Sequence, residues 1–400
     1  MQLRWFLIKI NSLNVIMKII ADTNIPFVKE CFSSIGEVEV FPCRQITRDI
    51  LGDAECLLVR SVTKVDSDLL AGSKVRFVGT ATIGFDHIDS ECLAKNNVGF
   101  ASAPGSNANS AAEYVIAGLL EIGRRCKIKL EGKSIGIIGV GNVGSRVAGK
   151  CEALGMKALL NDPPFQRETG DAKYRPLEEL YDCDFITLHT PLTFEGADKT
   201  FHLADENFFK SLKVGCVFIN ASRGEVADAS ALKASIRSGH LETTMLDVWA
   251  NEPNIDAELL EMVDLGTSHI AGYSLDGKIA GMIMIYKAAC EYFGLKARYN
   301  VGDFLPEPDV PRLKINPHSG SEQEVLCGAV GKIYDISEDD LKLRRILDVP
   351  AEKRSKFFDD LRKNYPVRRE FQNTQIVFTE AVENLSRKLE GIGFEVESGK

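Results

Sequence analysis

The stretch Ser134–Gly144 reads Ser-Ile-Gly-Ile-Ile-Gly-Val-Gly-Asn-Val-Gly, and it decides the fold. An apolar strand leads directly into the pattern Gly-x-Gly-x-x-Gly, which is formed by Gly139, Gly141 and Gly144. A helix-compatible stretch and a second strand follow, and Asp162 comes eighteen residues after Gly144. This order is typical of a dinucleotide-binding βαβ unit, because the glycines allow a tight turn, close approach of the backbone to a pyrophosphate, and close helix–strand packing.

Asp162 predicts which dinucleotide binds. A carboxylate at the end of the second strand accepts hydrogen bonds from the adenosine ribose and repels a 2′-phosphate, so NAD is favoured over NADP. The phosphates are expected at the N-terminus of the following helix. The alternative interpretation is an ordinary glycine turn, with Asp162 opening the turn at Pro163-Pro164.

Strand-like and helix-like stretches alternate on both sides of this motif. Apolar strands separated by helices indicate parallel sheets that are covered on both faces. A crossover helix is predicted at Ala111–Arg125, and a returning helix at Gly277–Phe293. The predicted strands are Lys18–Ala21, Glu37–Phe41, Cys56–Val59, Val75–Gly79 and Val98–Ala101, then Ser134–Gly139, Ala158–Asn161, Phe185–His189, Cys216–Asn220, Thr244–Asp247 and Gly266–His269.

The predicted organisation is therefore α/β, with two doubly wound parallel-sheet domains and a small C-terminal α+β domain. Residues 1–16 are interpreted as an N-terminal extension, 17–110 and 272–300 as a flavodoxin-like substrate-binding domain, and 111–271 as an NAD-binding Rossmann domain. Three prolines between 306 and 311 mark a linker, since proline does not fit a helix interior or a central strand. Residues 305–400 are expected to dimerise the protein, with a helix at Ala351–Tyr365 and a strand at Gln375–Phe378.

Composition excludes several classes of function. With 44% hydrophobic and 26% charged residues among 400, the chain is expected to be a soluble globular protein, and no apolar run reaches the length of a bilayer span. The net charge of -9 argues against a nucleic-acid partner, because phosphate binding needs a basic face. The ten cysteines include no Cys-x-x-Cys pair, which favours reduced thiols in the cytoplasm. No metal site is predicted.

Three segments at strand ends carry chemistry suited to oxidising a 2-hydroxy acid. In an open α/β sheet, ligands bind at the carboxyl ends of strands. His269 would act as the base for the hydroxyl proton, and Arg223 would grip the carboxylate with its planar guanidinium. Glu252 would orient the imidazole and fix its tautomer. Taken singly, His269 is also compatible with a structural role and Arg223 with a surface ion pair.

Together, the glycine motif and the segments Ala221–Gly224, Asp247–Pro253 and Ser268–Gly272 resemble the D-isomer-specific 2-hydroxyacid dehydrogenases. In that family, the residues at the positions of Arg223, Glu252 and His269 are catalytic. The resemblance implies NAD as the cofactor. The implied cofactor-binding residues are Gly139, Gly141, Asn142, Val143, Gly144, Asp162, Thr190, Ala221, Asp247 and Gly272.

A narrower resemblance, to one branch of that family, covers about residues 17 to 390. It rests on Val59–Lys64, Gly79–Thr82, Ala271–Tyr273 and Lys363–Tyr365. It implies a homodimer that oxidises 4-phospho-D-erythronate with NAD to (R)-3-hydroxy-2-oxo-4-phosphooxybutanoate, in the biosynthesis of pyridoxine 5′-phosphate. It also implies substrate contacts from Ser61, Thr82 and Tyr273, and Arg60 is a candidate for the substrate phosphate. The chain departs from the family pattern at Ala111, where valine is frequent, and in residues 1–16.

Other interpretations stay open from the sequence. Phosphoglycerate dehydrogenase shares the nucleotide domain and the three catalytic residues, and sequence chemistry does not separate the two activities. A non-catalytic NAD-sensing module is a second alternative, since fold does not imply function. Ser61 and Thr82 are also compatible with strand-end caps, Tyr273 with packing, and Thr190 with a turn at Pro191. The C-terminal domain has a regulatory, ligand-binding interpretation beside the dimerising one.

Overall fold

A computed structural model of the chain describes residues 17–380 and 382–397, so the predicted extension 1–16 lies outside the described residues. The chain forms two compact units. The first runs up to Pro104 and includes Ile279–Phe304, and the second comprises Gly105–Lys278 and the residues from Leu305 onward. The finer division at residues 110, 272 and 305 stays a prediction. Among the described residues, no helix is both long and apolar enough to cross a membrane.

The first unit contains a five-stranded sheet in which every strand pair is parallel. The order β2-β1-β3-β4-β5 is flavodoxin-like, as predicted. All residues of β3 and β4 are buried, which explains their apolar sequences. The elements are β1 (Lys18–Asp22), α1 (Val28–Phe32), β2 (Glu37–Phe41), α2 (Arg48–Leu51), β3 (Cys56–Val59), α3 (Ser67–Leu70), β4 (Phe77–Thr80), α4 (Ser90–Lys95) and β5 (Gly99–Ala101).

The second unit contains a six-stranded sheet, and its strand pairs are also parallel. Its elements begin with α5 (Ala108–Cys126), β6 (Ser134–Ile138), α6 (Asn142–Ala153), β7 (Lys157–Asn161), α7 (Pro163–Thr169), β8 (Phe185–Leu188), α8 (Glu206–Ser211) and β9 (Cys216–Asn220). They continue with α9 (Ala229–Arg237), β10 (Leu241–Leu246), α10 (Ala257–Met262), β11 (Leu265–Gly266) and α11 (Leu275–Phe293), the last of which extends into the first unit. All eleven strands predicted for the two sheets are thereby confirmed, three with the predicted ends and eight with shifted ends.

The strand order β11-β10-β9-β8-β6-β7 identifies this sheet as a Rossmann fold. Beyond β7, a single parallel bridge joins Leu160 to Tyr174, at the place of the outer strand in a six-stranded dinucleotide-binding sheet. The order reverses between β6 and β8. Ligands of open α/β sheets bind at the carboxyl ends of the strands beside such a reversal, and the Gly-x-Gly-x-x-Gly loop lies there.

The C-terminal region adds a three-stranded parallel sheet of order β12-β13-β14. Its elements are β12 (Arg312–Ile315), α12 (Glu322–Ile333), α13 (Ile336–Arg344), α14 (Ala351–Lys363), β13 (Gln375–Phe378), α15 (Glu383–Ile392) and β14 (Glu395–Val396). The predicted helix and strand are confirmed as α14 and β13. Leu326 of α12 and Leu389 of α15 share one apolar core with Val115 of α5 and Val147 of α6, which explains why this region belongs to the nucleotide-binding unit.

A buried polar segment, Arg368–Asn373, fastens the C-terminal region to the start of α11. The Arg369 guanidinium donates to both carboxylate oxygens of Asp276, at 2.9 and 3.3 Å. The same carboxylate accepts from the backbone N–H of Glu370 and from the Asn373 amide. The Arg369 and Asp276 side chains are only 8% and 5% exposed, so the charge of each depends on the other.

We expect Asp276→Ala to lower the free energy of unfolding of this unit by about 3–5 kcal/mol, because the substitution leaves the Arg369 charge buried without its carboxylate. Urea denaturation measures the change. The matched control is Arg387→Ala, which removes an exposed ion pair with Glu383 and should cost less than about 1 kcal/mol. Equal losses in the two variants would contradict a special role for the buried pair.

Candidate active site

The glycine loop between β6 and α6 has the geometry that a dinucleotide needs. Gly139 adopts a φ of +86°, which favours glycine, and a Cβ there would lie 2.8 Å from the backbone of His189. A Cβ at Gly144 would overlap the carbonyl oxygen of Gly139. Around Gly141, at the N-terminus of α6, a Cβ would meet nothing within 4 Å. The loop therefore packs tightly on the protein side and leaves its backbone open on the other, which fits a bound pyrophosphate.

Asp162 follows β7 and already serves the loop. Its Oδ2 accepts a hydrogen bond of 2.8 Å from the backbone N–H of Val140, and its Oδ1 caps α7 through the N–H of Phe165. The turn interpretation thus describes one function of this residue. A carboxylate has about four acceptor positions, so the bonds to the ribose hydroxyls remain compatible with both contacts.

The other predicted cofactor residues lie at the same edge of the sheet or beside it. Asn142 and Val143 open α6, and Ala221 directly follows β9. Thr190 comes two residues after β8, and its hydroxyl is buried without a hydrogen-bond partner among the described residues. Gly272 lies against Asn107, whose side chain would overlap a Cβ at this position. An orphaned hydroxyl at a strand end is consistent with a ligand that supplies the missing partner.

Arg223 is presented by a loop that follows β9. The Asn220 side chain accepts hydrogen bonds from the N–H and hydroxyl of Ser222, and it donates to the carbonyl of Arg223. A Cβ at Gly224 would overlap the backbone of Trp249, so glycine is required for the two loops to pack together. The arginine loop is therefore fixed against the loop that carries Glu252.

His269 lies in a loop that the buried Asp247 carboxylate holds in place. Asp247 Oδ1 accepts from the Thr267 hydroxyl and the Ile270 N–H, both at 2.7 Å, and Oδ2 accepts from the Ala271 N–H at 2.9 Å. His269 itself adopts a φ of +56°, an uncommon value for a residue with a side chain. Asp247 was predicted to line the NAD site, and in the structure its carboxylate positions the histidine loop.

Glu252 and His269 form a directly bonded pair. Nδ1 of His269 lies 2.7 Å from Oε2 of Glu252, and Oε1 of Glu252 accepts from the Trp249 N–H at 2.9 Å. Because a carboxylate only accepts, Nδ1 is the donor and Nε2 is left to face a substrate. Burial raises the pKa of the Glu252 carboxyl, but the charge and hydrogen bond of His269 and the Trp249 N–H outweigh it, so the pKa is lowered. Glu252 thus keeps the charge that orients the imidazole.

Tyr273 lies four residues after His269, and two cations flank its ring. The ammonium of Lys278 is 4.7 Å from the ring centroid, and the guanidinium carbon of Arg362, from α14, is 5.7 Å away. Tyr365 meets the ring edge-on at 5.8 Å. No motif in the sequence points to Arg362. The one signal was the segment Lys363–Tyr365, directly after it, which contributed to the narrower resemblance.

The remaining predicted substrate residues belong to the first unit. Arg60 follows β3 and donates to the carbonyl of Asn24 at 3.1 Å, and Ser61 is exposed. Thr82 follows β4, where its hydroxyl lies 2.7 Å from that of Thr80 and donates to the carbonyl of Gly84. All three thus come after strands of the flavodoxin-like sheet, at its carboxyl edge, as ligand-binding residues of such sheets do.

Comparisons with known proteins agree with this arrangement. Residues 107–271 match the family model of the D-isomer specific 2-hydroxyacid dehydrogenase, NAD binding domain, and residues 304–393 match a domain of unknown function, DUF3410. The chain is 44% identical to an erythronate-4-phosphate dehydrogenase of Cronobacter sakazakii, over 90% of this chain and 94% of that protein. It is 43% identical to an erythronate-4-phosphate dehydrogenase of Escherichia coli K12, over 91% and 95%.

Solved structures of related dehydrogenases share the fold over about the same part of the chain. An NAD-bound 3-phosphoglycerate dehydrogenase of Entamoeba histolytica is 26% identical, with a TM-score of 0.59, and the match covers 72% of this chain and 99% of that one. A D-lactate dehydrogenase of Aquifex aeolicus, complexed with NAD and lactic acid, is 25% identical, with a TM-score of 0.57 and coverage of 69% and 95%.

We expect Glu252→Gln to move the acidic limb of the pH–rate profile for 2-hydroxy acid oxidation to lower pH. The base must be unprotonated in this direction, and without the carboxylate charge the imidazole gives up its proton more readily. The measurement is kcat/KM across the pH range. Glu261→Gln, on the last turn of α10, is the charge-matched control and should leave the profile in place. If the Glu252 variant keeps the wild-type profile, the pair has no influence on the base.

Proposed function

The chain belongs to the erythronate-4-phosphate dehydrogenase family, and from this we propose that it oxidises 4-phospho-D-erythronate to (R)-3-hydroxy-2-oxo-4-phosphooxybutanoate with NAD. The product would serve the biosynthesis of pyridoxine 5′-phosphate. The observation that carries the proposal is the hydrogen-bonded pair His269–Glu252 at the end of a Rossmann sheet whose glycine loop fits NAD. Relatives that align over nearly their whole length have this activity in their names.

His269, Glu252 and Arg223 each have one role in this reaction. Nε2 of His269 accepts the proton of the C2 hydroxyl, while Glu252 stabilises the imidazolium that forms. Arg223 binds the carboxylate and draws electron density from the developing carbonyl. NAD supplies the hydride acceptor when it is bound.

Cofactor selection rests on Asp162 and on the glycine loop. We assign the pyrophosphate to the loop of Gly139, Gly141 and Gly144, beside Asn142 and Val143. The ribose is assigned to Asp162, whose charge disfavours a 2′-phosphate. Thr190, Ala221 and Gly272 complete the set, with Asp247 acting through the loop that it holds. The open space at Gly141 and the orphaned Thr190 hydroxyl support this assignment.

Substrate binding is assigned to Ser61 and Thr82 in the first unit and to Tyr273 in the second, with Arg60 as a candidate for the phosphate.

One observation supports 3-phosphoglycerate as an alternative substrate, since a structural relative at 26% identity is named a 3-phosphoglycerate dehydrogenase. The relatives at 43–44% identity favour erythronate phosphate. A non-catalytic NAD-sensing module is disfavoured, because such a module has no need of a bonded His–Glu pair.

We further propose that the enzyme is a cytoplasmic homodimer. All ten cysteines are free, and burial raises the pKa of Cys31, Cys151 and Cys216 to about 12, which suits unreactive thiols in a reducing compartment. For the dimer, the support is the family resemblance, which implies one, and the C-terminal region also exposes two large apolar side chains, Leu341 at 56% and Val367 at 66%. Sedimentation of the full chain at micromolar concentration should give twice the monomer mass, and a monomer would refute the dimer.

The decisive experiment is NADH formation by the wild-type protein with 4-phospho-D-erythronate, 3-phospho-D-glycerate and unphosphorylated D-erythronate. We expect the highest kcat/KM with the first acid. His269→Ala should lower kcat by at least ~100-fold, because a positioned acid–base group contributes that much or more. His202→Ala is the matched control, since His202 also has a positive φ and faces a carboxylate, Asp228, at 3.4 Å. NADH binding without turnover of any of the three acids would refute the proposal.

A further inference from the structure

Arg362 is a partly buried cation with one buried, unpartnered donor. Its Nε is buried and has no hydrogen-bond partner among the described residues. Two other arginines of the C-terminal region are paired with carboxylates, Arg344 with Asp340 and Arg369 with Asp276. A guanidinium carries five N–H donors in a rigid fork, and a buried donor without an acceptor costs free energy. The Nε of Arg362 is thus a donor for which the described residues supply no acceptor.

The neighbours of Arg362 place this unpartnered donor beside the candidate active site. Its guanidinium stands beside the ring of Tyr273. Burial lowers the pKa of the guanidinium, but Tyr273 and Glu252 raise it by a larger amount, so the group keeps its charge. Glu252 acts on Arg362 through its charge, while its two oxygens accept hydrogen bonds from His269 and from the Trp249 N–H. The unpartnered Nε leaves Arg362 able to donate to a further anion.

The helix that carries Arg362 is built to hold it there. Phe358 of α14 is fully buried in the core that contains Trp249, and Leu361 packs against the same core. Arg354, one turn before Phe358, donates to the carbonyls of Val349 and Leu347 and fixes the start of the helix. Arg362 is thus presented from a packed helix whose position is coupled to the loop of Trp249 and Glu252.

We propose that Arg362, together with Tyr273 and Lys278, binds the phosphate group of the substrate, a task for which the sequence offered Arg60 as the candidate. This inference rests on the proposed function, which supplies a phosphorylated 2-hydroxy acid. The carboxylate end of that substrate is already matched by Arg223, so the end without a cation in this unit is the phosphate. A phosphate dianion offers three acceptor oxygens, which suits a guanidinium fork with a phenol and an ammonium beside it.

The test compares two substrates in three variants. Arg362→Gln should raise KM for 4-phospho-D-erythronate by about 10- to 100-fold, the range expected for loss of charge-assisted hydrogen bonds. The same variant should change kcat/KM for unphosphorylated D-erythronate by less than about threefold. Arg362→Lys should recover part of the loss, since it keeps the charge without the fork. Lys363→Gln removes the adjacent, exposed charge of the same helix and should behave as wild type.

The outcomes separate this inference from the proposed function. If Arg362→Gln weakens both substrates equally, Arg362 is only a counter-charge for Glu252 and the phosphate assignment is overturned. Wild-type kinetics in the variant would overturn it as well. A wild-type protein without activity on 4-phospho-D-erythronate refutes the proposed function. The phosphate site is then tested separately, by adding inorganic phosphate and measuring the melting temperature. Phosphate should raise the melting temperature of the wild type and of Lys363→Gln more than that of Arg362→Gln.

Discussion

The buried carboxylate of Asp247 is the constraint on which the active site depends. It is 1% exposed, and the groups that satisfy it are the Thr267 hydroxyl and the N–H groups of Ile270 and Ala271. The N–H of His269 also donates to the backbone carbonyl of Asp247, at 2.7 Å. Because a buried charge without these bonds is costly, the loop is held closed and His269 is kept at its uncommon backbone angle. The distance between His269 and Glu252 follows from this one anchor.

The same loop is braced from the other side by the C-terminal region. Arg368, which is buried, donates to the carbonyl of Ala271, and Ser274 donates to Glu370. Glu370 also helps to raise the pKa of Glu113, where burial is the main cause. These hydrogen bonds join residues 368–373 to the segment that follows His269. The region beyond the proline-rich linker therefore contributes to the geometry around His269, whereas the sequence predicted a dimerising role for it and left a regulatory, ligand-binding role open.

The sequence predicted the features that depend on short-range patterns of residues. The glycine loop, the strands and the positions of Arg223, Glu252 and His269 at strand ends follow from motif spacing and from the alternation of apolar runs. What it did not predict depends on packing between distant parts of the chain. The pattern of α14 indicates an amphipathic helix, but nothing in it places Arg362 beside Tyr273, which is 89 residues earlier. In the same way, no spacing rule shows that both oxygens of Asp247 would be taken up by the histidine loop.

The two matched family models cover different parts of the candidate site. The dehydrogenase model ends at residue 271, within the loop that carries His269, while Arg362 falls in the second model, at residues 304–393. The groups that would abstract the proton and bind the 2-hydroxy acid thus belong to the part shared with dehydrogenases of other acids. Tyr273 comes after that part, and its ring lies beside Arg362 of α14. The C-terminal region thus places a cation beyond the shared part, where the phosphate end of the proposed substrate would bind. In this arrangement the loops at the strand ends carry out the chemistry. The length of the substrate is selected by α14, which the C-terminal region adds beside those loops.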